Sequence, residues 1–277
     1  MNRSRAIQAI VLKDVRAISA NLQVLLPMLV VPVILGILLP GGITWAILRF
    51  GAQAGEVQEL LELLERLPGG SLTDTLAKFD AVTKQAAFFT ANYLLAPFFL
   101  LIPLMAASTI SADSFAGEKE RGTLESLLFS PIGVDGLFIE KAIASLLPAV
   151  LLSWGTFLLT FITVNAVAWP WFGSVFFPTV NWLPLMLLVV PLIGLATIFL
   201  NVFISARVSS FQAAYQLGGV VVLPVIGLFV GNMTGVLLFS TPVIIGIGLV
   251  LAVINLVLLL VLRRYLDRAR LFESQVR

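Results

Sequence analysis

No cysteine and no histidine occur among the 277 residues. The first absence removes any disulfide framework and all thiol chemistry. The second removes the commonest metal ligand, proton shuttle and general base together. Charge is scarce too: 12% of residues are Asp, Glu, Lys or Arg, against about 25% in a soluble domain, whose surface must be hydrated. A formal charge of +2 is too small to point to nucleic acid. The chain holds no Gly-x-x-x-x-Gly-Lys-Ser/Thr loop, no His-Glu-x-x-His and no Gly-x-Ser-x-Gly, the local signatures of nucleotide, zinc-peptidase and serine-hydrolase sites. A Thr-Val-Gly-Tyr-Gly potassium filter is missing as well.

What fills the chain is apolar: 59% of residues are hydrophobic, with a mean hydropathy of +1.05. Several stretches long enough to cross hydrocarbon as a helix, ~20 residues, contain no ionisable side chain. Six can be marked, at 22–48, 86–110, 142–168, 183–204, 213–230 and 241–262. The fold class expected is therefore all-α, a polytopic membrane protein of six transmembrane helices in one domain, 1–277. In the first segment, Pro27, Pro32 and Pro40-Gly41-Gly42 predict a span that bends or ends at the triplet, leaving 43–50 at the interface.

An even number of spans puts both termini on one side. Arg3, Arg5, Lys13 and Arg16 precede the first span, and Arg263, Arg264, Arg268, Arg270 and Arg277 follow the last. The positive-inside rule makes that side cytoplasmic. Trp169, Trp171 and Trp182 then fall in an outer connection, at the depth of an aromatic belt. Met1–Arg5 is polar and leads into an amphipathic stretch, so it is expected to be mature sequence, not a cleaved signal.

Three segments outside the spans have a pattern of their own. Residues 5–22 set Ile7, Ile10, Val11, Val15, Ile18 and Leu22 on one helical face, as an interfacial helix does. The outer loop 49–85 contains a second amphipathic stretch, 55–67, with an acidic polar face; it is expected to cap the bundle. The third segment, 113–141, is cytoplasmic by span counting and carries most of the remaining charge, ahead of a cytoplasmic tail at 263–277.

No charged residue lies inside the six marked spans. Proton-coupled transport usually needs one; sodium coupling, which can use backbone and hydroxyl oxygens, is only weakened. A membrane enzyme of lipid metabolism would group acids to hold magnesium. Asp113, Glu118 and Glu120 lie near one face, but Lys119 and Arg121 interleave with them. Within the spans, polar residues are mild and ordered. Ser153, Thr156, Thr160 and Thr163 follow one face of the third span. Gly194, Thr197, Asn201 and Ser205 follow one face of the fourth, and Gln212, Gln216 and Gly219 form a shorter stripe on the fifth. Either these stripes pack helices together or they line a translocation path, and periodicity leaves both open.

The central segment runs Glu118-Lys119-Glu120-Arg121-Gly122-Thr123-Leu124-Glu125-Ser126-Leu127-Leu128-Phe129-Ser130-Pro131-Ile132. Leu124, Leu127 and Leu128 form an apolar stripe on a short helix. Glu118 with Arg121, and Arg121 with Glu125, stand at pairing distance along it. Either it transmits force from a docked partner or it only turns the chain.

This stretch resembles the signature of type-2 (ABC-2) exporter permeases, which is an acidic residue, Glu-Arg-Gly-Thr, Leu-Glu, paired leucines, then Ser or Thr before Pro-Ile. Ile139-Glu140-Lys141 resembles the Gly-Lys pair that opens the third span there, with Glu140 in place of glycine. Lys13-Asp14, 205–224 and Arg270-Leu271-Phe272-Glu273 resemble further family segments more loosely. The resemblance implies a permease half that pairs with an identical or homologous second half, each above a cytosolic ATPase that holds ATP and magnesium. No catalytic residue or cofactor is then expected on this chain, only the bilayer around it. The implied location is a bacterial or archaeal inner membrane. Docking of the ATPase would fall to Glu118, Lys119, Glu120, Arg121, Thr123, Leu124, Glu125, Leu127, Leu128 and Pro131.

The absence of native cysteine makes the topology directly testable. In intact cells, a membrane-impermeant maleimide should label Ser71→Cys and leave Ser4→Cys and Ser130→Cys unlabelled until the membrane is permeabilised. Labelling of Ser130→Cys from outside would invert the topology.

Overall fold

A computed structural model describes residues 22–51, 71–122, 134–208, 210–234 and 237–275, with the side chains of 22–24, 27, 71, 134–140 and 265–275 outside the description. The interfacial helix expected over 5–21, the amphipathic stretch 55–67 and the docking residues Thr123, Leu124, Glu125, Leu127, Leu128 and Pro131 lie outside the described residues. Within them the secondary structure is helical, and six helices are long and apolar enough to span a bilayer: Met28–Phe50, Val82–Glu120, Lys141–Phe172, Trp182–Arg207, Phe211–Met233 and Thr241–Arg264. Each coincides with one expected segment. The chain is an all-α, polytopic membrane protein.

The second and fourth spans form the centre. In the second, 78% of the apolar window is buried by the rest of the chain, and in the fourth 56%; in the fifth and sixth it is 17%. The third packs on the second, fourth and first, and the sixth on the fourth. Lipid tails are as apolar as Leu or Phe, so hydrophobicity cannot drive helices together inside a bilayer; close packing and interhelical hydrogen bonds do that work. The centre is accordingly rich in small and polar buried residues, among them Ala106, Ala107, Ser108, Ser111, Thr197 and Asn201.

Several expected boundaries change. The first span does not end at Pro40-Gly41-Gly42; it continues to Phe50. A π-helical segment, Pro32–Leu38, widens the helix ahead of the triplet, and the Leu39 N–H bonds to the Ile34 carbonyl five residues back. Pro40 has no N–H to offer the carbonyl of Gly36, four residues back. That carbonyl instead accepts the Thr160 hydroxyl from the third span. The second span runs ten residues past its expected end at 110, through a π-helical segment Asp113–Gly117 to Glu120. Gly122, at φ 69°, then takes the left-handed conformation that closes helices. The sixth helix continues to Gln275, so the expected tail is in large part a helical extension.

At the end away from Glu118, four buried asparagines tie down the connections. Asn165 accepts from the Phe176 N–H at 3.0 Å and donates to the Phe177 carbonyl at 2.6 Å. Asn92 accepts from the Thr179 N–H at 2.8 Å. Asn181 donates to the Phe239 carbonyl at 3.2 Å, and Asn232 to the Tyr93 carbonyl at 2.9 Å. Trp182 departs from the aromatic-belt expectation. It is 3% exposed, stacks on Phe157 at 5.2 Å and donates its indole N–H to the Asn92 carbonyl. Trp169, by contrast, is exposed.

The first and third spans meet through glycine. A methyl group on Gly36 would collide with the Thr156 methyl, and one on Gly41 would lie 2.7 Å from that of Thr163, whereas Gly42 faces open space. Gly36→Ala should therefore destabilise the detergent-solubilised protein by about 1–3 kcal/mol through overpacking. Gly42→Ala should be neutral or stabilising by up to about 1 kcal/mol through helix propensity. Thermal unfolding of the two variants, and recovery in Gly36→Ala with Thr156→Ser, checks the contact. Equal behaviour of the two glycine variants would contradict it.

Candidate functional site

The charged end of the second span gathers most of the ionisable side chains described inside the bundle. The π-helical turn at Asp113–Gly117 resets which residues face the core, so Asp113 and Glu118 both point inward and are 6% exposed. Such carboxylates need partners, because an unpaired charge in a low-dielectric interior is strongly disfavoured. Glu118 pairs with Lys141 of the third helix, Val134–Phe172. Lys141 also donates to the Ser114 carbonyl at 2.7 Å and lies over the Phe115 ring, 5.4 Å from its centroid. Asp113 pairs with Arg121 at 2.9 Å. Gly117 makes room for that pair: a Cβ there would sit 2.7 Å from an Asp113 carboxylate oxygen and 3.2 Å from an Arg121 guanidinium nitrogen. The expected helical pairing of Glu118 with Arg121 is thus replaced by two longer-range pairs, Glu118–Lys141 and Arg121–Asp113. The wider π-turn and the glycine seat are the physical reason.

The two residues between them turn the other way. Lys119 donates to the Val208 carbonyl at 3.0 Å and to that of Ser205 at 3.5 Å, at the end of the fourth span. Glu120 accepts the Phe211 N–H at 2.8 Å, at the start of the fifth. The three carboxylates of Asp113, Glu118 and Glu120 therefore diverge to different partners. Among the described residues, no three acidic side chains come together to hold a metal ion.

The polar stripes separate into two kinds. Ser153, Thr156 and Thr160 are buried, each donating to the carbonyl four residues back on its own helix at 2.8–2.9 Å. Thr163 is half-buried against Gly41. Thr197 is buried and bonds the Ile193 carbonyl at 2.8 Å. Asn201 reaches across to the second span, donating to the Ser111 hydroxyl at 2.8 Å and to Ser108 at 3.2 Å. Gln212 and Gln216 are the two stripe residues found exposed, on the half of the fifth helix nearer the charged end of the second span.

Sequence reasoning picked out Glu118, Lys119, Glu120 and Arg121 but not their partners. Lys141 lies 23 residues from Glu118, and Val208 and Phe211 lie about 90 from Lys119 and Glu120. No periodicity spans such distances.

No curated protein and no solved structure matches the chain. A family model described as "ABC-2 family transporter protein" matches residues 8–266. That match takes in all six spans and the charged end of the second. It agrees with the resemblance carried by Glu118–Ile132, and its extent decides the assignment: the chain belongs to the ABC-2 family of transporter proteins, as a multi-pass membrane subunit.

Proposed function

We propose that this chain is the permease half of an ATP-driven exporter, coupled to a cytosolic ATPase that holds ATP and magnesium on its own chain. It pairs with a second six-span half, identical or homologous, in a bacterial or archaeal inner membrane, with both termini in the cytoplasm. The observation that carries this reading is the family match over 8–266, with the signature segment seated between the second and third spans. The six stretches marked in the sequence carry no acidic or basic residue, and the buried charges at the end of the second span are paired, Asp113 with Arg121 and Glu118 with Lys141, which fits energy supplied from another chain.

Burial and pairing support a narrower docking surface for the ATPase. Glu118 is buried against Lys141, so it supports the platform from inside. The Lys119 and Glu120 side chains are engaged with the ends of the fourth and fifth spans, which leaves Arg121 and Gly122 as the exposed platform surface. Beyond them the apolar stripe Leu124, Leu127 and Leu128, with Thr123, Glu125 and Pro131, supplies the anchor that enters the ATPase, as buried apolar residues do at interface centres. Substrate contacts fall to exposed polar groups. Gln212 and Gln216 face outward from the bundle, where an amide against lipid is unfavourable, so they meet the path shared with the second half. Ser153, Thr156, Thr160, Thr163, Thr197 and Asn201 position the helices behind that path. Such uncharged surfaces suit a hydrophobic or amphipathic substrate, and an ionic one carried with its own counter-ion.

Leu127→Asp combined with Leu128→Asp should abolish co-purification with the ATPase while the permease still inserts and remains monodisperse. Gln212→Ala with Gln216→Ala should leave the ATPase bound and alter substrate-stimulated hydrolysis. An ATPase that stays bound to the double aspartate variant would refute the docking assignment.

A further inference from the structure

Lys119 and Glu120 are adjacent in sequence, yet they hold two different helix ends. The fourth span stops at Arg207, and Val208 is extended at φ −116° and ψ 158°. The fifth span begins at Phe211 after an extended Ser210, whose hydroxyl accepts the Ala213 N–H at 3.3 Å. Between these ends the chain makes a sharp elbow. The Lys119 ammonium sits on carbonyls at the C-terminal end of one helix, and the Glu120 carboxylate on an N–H at the N-terminal end of the next. Each charge matches the dipole of the end it touches. Together they form a two-point bracket from the second span onto the elbow.

The helix that the elbow feeds is not continuous. It consists of Phe211–Gly218, a 3-10 turn Gly219–Val221, and Val222–Met233. Short 3-10 stretches inside a helix mark places where it can bend. Pro224, with no N–H for the Val220 carbonyl, weakens the same turn. Both pieces rest on the second span at separate points. The lower piece meets it where Ala214 is buried against Ala112 and Ala116 and where Gly218 packs against Ser108, close enough that a Cβ would lie 2.8 Å from the Ser108 hydroxyl. The upper piece is tied by Asn232 to Tyr93 and by Phe229, whose ring centroid is 4.0 Å from that of Phe98. The bend falls between these two attachments.

We propose that Lys119 and Glu120 are positioning residues that pass motion of the second span's charged end to the lower half of the fifth span, which pivots as a lever at Gly219–Val221. This rests on the reading that an ATPase pushes at 118–131. The exposed Gln212 and Gln216 ride on the lever. A stroke of the bracket therefore moves the amides that face the path while the upper half, anchored by Asn232, stays in place.

The test uses the complex of this chain with its ATPase in nanodiscs. A bimane fluorophore is placed at Leu217→Cys on the lower half or at Val230→Cys on the upper half, both exposed positions in a chain with no other cysteine. ATP with vanadate should shift the emission at position 217 and not at 230. Lys119→Gln with Glu120→Gln should abolish the 217 shift while the ATPase remains bound and hydrolyses ATP, and Lys119→Arg should retain it. If the double variant does not yield protein, Glu120→Gln alone, which removes the charge at constant size, is read in the same way with a reduced shift expected. No shift at 217 in the unsubstituted complex overturns the ATP-driven reading and the lever with it. A full shift in the variant, with the ATPase bound, overturns the bracket alone. Loss of the ATPase from the variant also overturns the bracket, because Lys119 and Glu120 would then be docking contacts. Equal shifts at 217 and 230 overturn the pivot.

Discussion

Inside hydrocarbon a backbone carbonyl has no water to turn to, and each one that loses its helical partner must find another or cost several kcal/mol. Much of this structure follows from that constraint. Pro40 leaves the Gly36 carbonyl without its usual donor, and Thr160 of a different helix supplies one. The same contact brings the first span close enough to the third that Gly36 and Gly41 have no room for a Cβ. Backbone satisfaction and helix packing are here one event. At the far end, Asn92, Asn165, Asn181 and Asn232 serve the irregular connections in the same way, each amide offering both a donor and an acceptor. Connections that dip among buried aromatic rings stay ordered because their polar groups are met from the helices.

The charged end obeys a second form of the same rule. Burying Asp113 and Glu118 is tolerable only with Arg121 and Lys141 in place, and a buried pair left with one member is costly by about 3–5 kcal/mol. These pairs act less as a source of stability than as a fixed geometry. Glu118–Lys141 joins the end of the second span to the beginning of the third, across the segment that resembles the family signature. A force applied to that segment meets two spans joined at their base, and not a free loop.

How far all this could be read beforehand depends on the range of the interaction. The six spans are visible because a run of ~20 apolar residues is a local property. The signature at Glu118–Ile132 is local as well. By contrast, the first span's passage through Pro40-Gly41-Gly42 depends on Thr160, 124 residues from Gly36, and nothing near the triplet announces it. The continuity of the second span to Glu120 was hidden by its charges, which read as a separate short cytoplasmic helix until their partners are known. The stripes were visible but ambiguous. A hydroxyl every three or four residues fits both packing and lining a path, and burial separates them, sending Thr156, Thr160 and Asn201 inward and leaving Gln212 and Gln216 outside.

That separation has a mechanical meaning. The second, third and fourth spans are cross-linked by Asn201 to Ser111, by Trp154 to the Met186 carbonyl and by Lys141 to Glu118, so they respond to force as a block. The fifth span is mostly unburied, broken at Gly219–Val221 and joined to the block at its ends and through the slender residues Ala214, Gly218 and Val225. Packed elements resist small deformation and shift between discrete arrangements, whereas a helix with a weak turn and few neighbours yields at that turn. Motion entering at the charged end is therefore dissipated least in the block and expressed most in the lower half of the fifth span. The stiffest part of the molecule thus lies at the charged end of the second span, and the most compliant part in the exposed lower half of the fifth.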